Sequence, residues 1–146
     1  MAWISITEDH LLTVMSGPEL EGYRAAALAD GQDDPVQPAI DQVTDLVRGY
    51  VGGCRANTLG ATGIPQKLLA PAVDLIAVRI PLRVGKSPKA GRKDAAEAAT
   101  KLLERVAACG FDIEEPATPT TESSSAPSPR IPERTNHFSR SSQDGI

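Results

Sequence analysis

The chain predicts an all-α fold, a small helical bundle of about four to five helices followed by a disordered C-terminal tail. Three observations carry that expectation. Aromatic residues make up only 3% of the 146 residues, so the core has to be built from Leu, Ile, Val and Ala, which favours helix packing over a β-sandwich. Between Pro35 and Ile80 the apolar residues recur at intervals of three and four, in two runs joined by a glycine-rich stretch. At Glu114 the composition changes to Pro, Ser and Thr, a segment that cannot offset its own ordering entropy. The helical domain is therefore placed at residues 1–113 and the tail at 114–146, with Phe138 and Ile146 as the tail's docking points.

Met1 to Ile6 is short and apolar and reads as an extended arm. Thr7 is a helix N-cap, with Glu8 and Asp9 in the first turn, where carboxylates meet the positive helix end, and with Ile6 and Leu11 at the staple positions. That helix is short, about Glu8 to Met15. Ser16-Gly17-Pro18-Glu19 is a second start, a Ser-x-x-Glu capping box with proline just inside. Leu20, Tyr23, Ala27 and Leu28 supply the apolar face of the helix it opens. Asp30 to Asp34 is an acidic turn. It lacks the ligand spacing and closing glutamate of a calcium loop, so it reads as a solvated loop whose last member, Asp34, caps the next helix.

The central helix has Pro35 at its first position, carries Val36, Ile40, Val43, Val47, Tyr50 and Val51 on one face, and stops at Gly52-Gly53. The glycine-rich stretch Gly52 to Gly63 has no Gly-Lys-Ser/Thr ending and follows a helix, so it is a flexible connector ordered by a partner rather than a phosphate loop. Pro65 opens the next helix, with Leu68, Leu69, Ala72, Val73, Ile76 and Ile80 inward. Pro71 kinks it or splits off its first turn, and Pro81 ends it. Asp74 falls among the apolar positions and is expected to face solvent or pair with an arginine. The last helix, about Lys93 to Ala108, buries Ala96, Ala99, Leu102, Leu103, Val106 and Ala107 and stops at Gly110, after which Phe111 and Ile113 lie back across the bundle.

Charge is unevenly placed. Nine acids stand against one base up to Asp45, and eleven bases against five acids from Leu46 to Ile113. Two readings follow: solvated faces that partly neutralise each other within one monomer, or an acidic surface on one copy meeting a basic surface on the next. The most basic stretch, Arg83 to Lys93, has five bases and no acid. It has no interleaved aromatic residue for stacking on bases, so it reads as a mobile loop docking on an acidic protein surface, with DNA binding as the alternative. Residues expected to make interactions are Arg55, Arg83, Lys86, Lys89, Arg92, Lys93, Asp33 and Asp34. No membrane span is expected, because the apolar run Leu75 to Leu82 is short and contains Arg79 and Pro81. Cys54 and Cys109 lack metal-ligand spacing and are read as two free thiols of a reduced cytoplasmic protein, a compartment that disfavours the alternative of a disulfide between them. His10 and His137 have no Cys or Ser nearby in sequence, so no catalytic role, metal or cofactor is expected.

The order of elements resembles a known group. Ile6-Thr7-Glu8 and Leu11 lead to an acidic segment, and a helix then carries Ala39-Ile40 and ends near Gly49-Tyr50-Val51. A proline-started helix with Leu68, Ala72, Asp74 and Leu75 follows, then a basic loop and a last helix with Leu102-Leu103, Val106-Ala107 and Gly110. Over about residues 3 to 113 this is similar to the small helical head–tail connector proteins of tailed bacteriophages, also called head-completion, adaptor or neck proteins, including the Mu-like prophage group. The resemblance implies a structural virion protein, not an enzyme. Such a protein forms a homo-oligomeric ring, a dodecamer, at the head–tail interface after assembly in the host cytoplasm. Its partners would be the portal protein and a tail or stopper protein, and genomic DNA would pass through the lumen without sequence-specific binding.

Overall fold

The computed structural model describes residues 3–117; the expectations for the tail beyond, Phe138 and Ile146 included, lie outside the described residues. Within them the chain is all-α. It runs through α1 (Glu8–Leu11), α2 (Gly17–Ala29), α3 (Val36–Gly53), a 3-10 turn (Gln66–Leu68), α4 (Leu69–Arg83) and α5 (Arg92–Ala107). α4 is apolar on nearly every side and buries Pro71, Ala72, Val73, Leu75, Ile76, Ala77, Ile80 and Pro81. α3 and α5 pack along it and against each other, while α1 closes its N-terminal end. α3 contributes Val36, Ala39, Ile40, Val43, Val47 and Val51 to the shared core, and α5 contributes Ala99, Leu103 and Val106. Each large aliphatic side chain so buried stabilises by about 1.5–3 kcal/mol.

Pro71 acts as expected. The turn before it is set apart as the 3-10 turn, and Pro71 sits in the first turn of α4, where its missing N–H has no partner to lose. Two other expectations are corrected. Leu28 does not join the inward face of α2 but is 70% exposed, because that face ends at Ala27. Pro81 does not end α4, which continues to Arg83.

The stop comes from a device used three times. Gly31, Gly85 and Cys109 each adopt the left-handed backbone, with φ of 70°, 70° and 58°. After each, a paired backbone closure forms: Gln32 N–H to Ala27 O at 2.8 Å with Gly31 N–H to Leu28 O at 3.0 Å, Lys86 to Pro81 at 2.9 Å with Gly85 to Leu82 at 3.1 Å, and Gly110 to Arg105 at 2.8 Å with Cys109 to Val106 at 3.0 Å. This is the Schellman closure, whose left-handed position is normally glycine. In α5 that position is held by Cys109 and not by Gly110, which comes one residue later.

Cys109 is there because its side chain is needed. It is bonded to Cys54, the residue after α3, with the two Cα atoms 5.2 Å apart. The expectation of two free thiols is therefore corrected: the packing of α3 on α5 brings both helix ends together, a proximity that 55 residues of sequence separation conceals. Closing a loop of that length typically contributes about 2–4 kcal/mol.

The connector from Gly52 to Gly63 is also not left for a partner to order. Arg48, on the outer side of α3, donates from its two terminal nitrogens to the carbonyls of Gly63 and Gly60, each at 2.9 Å. Trp3 lies over this guanidinium, 5.7 Å from ring centroid to Cζ. The extended arm behaves as expected and pairs with the end of the connector, Ile4 and Ile64 exchanging two 2.9 Å backbone hydrogen bonds. Gly63 permits this approach, since its φ is +76° and a Cβ there would lie 2.6 Å from the Ile4 carbonyl oxygen. Phe111 and Ile113 pack back on the core as expected. Contacts with the helical domain continue at Glu114, whose carbonyl accepts from Trp3 Nε1 at 3.0 Å and whose carboxylate accepts from the Lys67 N–H at 3.3 Å.

Gly63→Ala should destabilise the domain by about 2 kcal/mol in urea titration, as an enforced left-handed alanine pressed on Ile4 requires. Trp3, the single tryptophan, should shift its emission to the red as the arm lifts. Under reducing conditions Cys109→Gly should be more stable than Cys109→Ala by about 1 kcal/mol, the reverse of the usual helix preference, because the position is left-handed.

Candidate interaction surfaces

The capping box that opens α2 forms only by half. Ser16 Oγ accepts from the Glu19 N–H at 3.4 Å, but the Glu19 carboxylate turns away from the Ser16 backbone. It accepts from both terminal nitrogens of Arg92, at 2.6 and 3.0 Å, from Lys89 Nζ at 2.8 Å and from the Tyr23 hydroxyl at 3.0 Å. Arg92 also donates to the Val14 carbonyl at 2.9 Å, and Lys86 Nζ stands 5.6 Å from the Tyr23 ring centroid. The basic loop thus does dock on an acidic surface, and that surface belongs to its own chain. Glu19 is only 10% exposed, and the Arg92 hydrogen bonds, helped by those from Lys89 and Tyr23, overcome its burial and hold the carboxyl down at about 2. Burial and the adjoining Glu19 push the Tyr23 hydroxyl up.

A second hub surrounds Arg24, the only base before residue 46. Its guanidinium reaches Glu8 at 2.6 Å, Glu21 at 2.8 Å and Asp34 at 3.2 Å, tying α1 and α2 to the turn before α3. Hydrogen bonds from Arg24 hold the Glu8 carboxyl below its usual range. Asp34 also accepts from the Val36 N–H at 2.9 Å and so caps α3 as expected.

The residues expected to make external contacts therefore divide. Lys86, Lys89, Arg92 and Asp34 are engaged within the chain. Arg55, Arg83, Lys93 and Asp33 are exposed and form no ion pair among the described residues. Arg83 borders a cleft of about 650 Å³ between α3 and α4, together with Pro38, Ala39, Gln42, Arg79 and Leu82. Arg79, which sequence reasoning passed over, lies one helical turn before Arg83 and donates to Gln42 Oε1 at 3.5 Å. The i, i+4 spacing of the two arginines was the available signal.

A smaller cleft of about 160 Å³ opens between α1 and α4, lined by His10, Thr13, Val14, Leu69, Ala70, Val73 and Asp74. Asp74 lies in the wall of this open cleft and meets no arginine among the described residues. It is half-buried without an ion-pair partner among the described residues, and burial raises its carboxyl. His10 Nδ1 accepts from the Thr7 N–H at 3.0 Å, and the Thr13 hydroxyl donates to the His10 carbonyl at 2.7 Å. Both groups are thus engaged in holding α1. Among the described residues no three His, Cys, Asp or Glu side chains converge as a metal site requires, and no helix is long and apolar enough to cross a membrane.

Compared with known proteins, the chain matches no family model, no curated protein and no solved structure.

Glu19→Gln should lower stability at neutral pH by about 2 kcal/mol, the scale of lost charge-assisted hydrogen bonds. Because the folded carboxyl is depressed, its contribution is complete above the unfolded value of 4.5 and is lost as pH falls from there through about 2. Urea midpoints measured across that window should fall with acid in the parent chain and change less in the variant.

Proposed function

We propose that the chain is a structural head–tail connector of tailed bacteriophages, a ring-forming adaptor between the portal and a tail or stopper protein that extends the DNA channel. The resemblance in element order motivates the reading. The observation that carries it is the charge left over after internal pairing. Asp30 and Asp33 at the α2–α3 turn, and Arg79 and Arg83 at the end of α4, make no ion pair among the described residues. A ring subunit needs two different and mutually complementary sides, and these sets supply opposite signs on separate elements. The alternative, a DNA-binding protein gripping phosphates with residues 83–93, is weakened because Lys89 and Arg92 already neutralise Glu19 and Lys86 lies over Tyr23.

Native mass spectrometry of the full chain, alone and mixed with a portal ring, tests the reading. Closed rings, or a defined number of copies bound on the portal, are expected. A chain that remains monomeric and does not bind portal overturns it.

A further inference from the structure

The two most exposed large apolar side chains among the described residues are Leu28, at 70%, and Leu82, at 56%. They hold the same place in their helices: each lies three residues before a left-handed glycine, Gly31 or Gly85, and each offers its carbonyl to that glycine's N–H. Each is therefore presented on a closed, hydrogen-bonded turn. Their surroundings are opposite in sign. Leu28 is followed by the exposed Asp30 and Asp33, whereas Leu82 stands between Arg79 and Arg83 in the wall of the 650 Å³ cleft.

Asp30 is also electrostatically misplaced. It is the C-cap of α2, where the helix dipole presents its negative end, and the last turn of α2 contains no base. Its carboxylate has no ion-pair partner among the described residues and would gain from a cation brought to it by another copy.

From these features we infer that one copy docks on the next head to tail, with Leu28, Asp30 and Asp33 of one seated on Arg79, Leu82 and Arg83 of its neighbour. Burying the two leucines against each other supplies the apolar centre, and two carboxylates facing two guanidiniums supply orientation. A two-fold contact of either patch with itself would set like charges together, so each joint pairs unlike patches, and repeated head to tail it propagates to a closed ring or a filament. The inference rests on the self-assembly part of the connector reading and names the surfaces that make the joint.

Charge exchange on the full chain tests it, read by native mass spectrometry and sedimentation over rising concentration. One variant carries Asp30→Arg with Asp33→Arg; a second carries Arg79→Glu with Arg83→Glu. Each alone should self-associate about tenfold more weakly or worse, since knob and cleft then share a sign. An equimolar mixture should regain the parent assembly with the two variants alternating in equal numbers, because every joint is again complementary. Asp30→Arg places a cation at a helix C-terminus, so at concentrations where both chains are monomeric the variant should melt no lower than the parent, and weakened assembly then reports on the joint and not on the fold. Parent assembly retained by either folded variant alone, or a mixture that fails to recover, overturns the contact while leaving the ring reading standing. A parent chain that is monomeric with and without portal overturns both.

Discussion

A helix with apolar side chains on nearly every side has to be surrounded, and α4 imposes that requirement on the rest of the domain. α3 and α5 cover its length and α1 its start, so the remaining polar groups are driven to the edges of the bundle. Those edges are where the chain is tied by a few charged side chains in place of further core. Arg24 gathers three carboxylates from α1, α2 and the following turn, Glu19 gathers the loop before α5, and Arg48 gathers the connector after α3. Apolar burial decides which helices meet, and these three hubs decide how the joins between them run.

The helices were legible because their signals are local. Apolar spacing, caps and staples act within one or two turns, and Ile6, Leu11, Ser16 and Asp34 all lie where such rules place them. The errors are of two kinds. Pro81 and Gly110 look like stops, but what ends a helix is the residue that takes the left-handed conformation, here Gly85 and Cys109. A cysteine in that role is invisible until its partner is known. Leu28 fits the apolar spacing of α2 yet lies beyond the reach of the core, which periodicity alone cannot sense.

The surfaces were less legible because they depend on long-range pairing. A run of five bases between Arg83 and Lys93 looks available to any acidic partner, but three of them are taken by Glu19 and Tyr23, some seventy residues earlier in the chain. Glu19 carried a correct signal for the wrong use: its place in the Ser-x-x-Glu pattern marks the helix start, while its carboxylate serves the far loop. What remains exposed after this internal neutralisation is smaller than the charge count implies, and for that reason more informative about docking. Arg83 and Asp33 stay in view, joined by Asp30 and the half-buried Arg79, and each set stands beside a leucine that the core has not claimed.

The hydrogen bond from Trp3 to Glu114 joins the two extremities of the described chain at one pole, where Ile4 is also held to Ile64. The backbone path is thereby almost a circuit. Tension applied through residue 117 would load the Trp3 contact and the paired arm, while the disulfide at Cys109 shields α5 from the same pull. A load borne at this pole is thus separated by a covalent anchor from the helix that lies against α3 and α4.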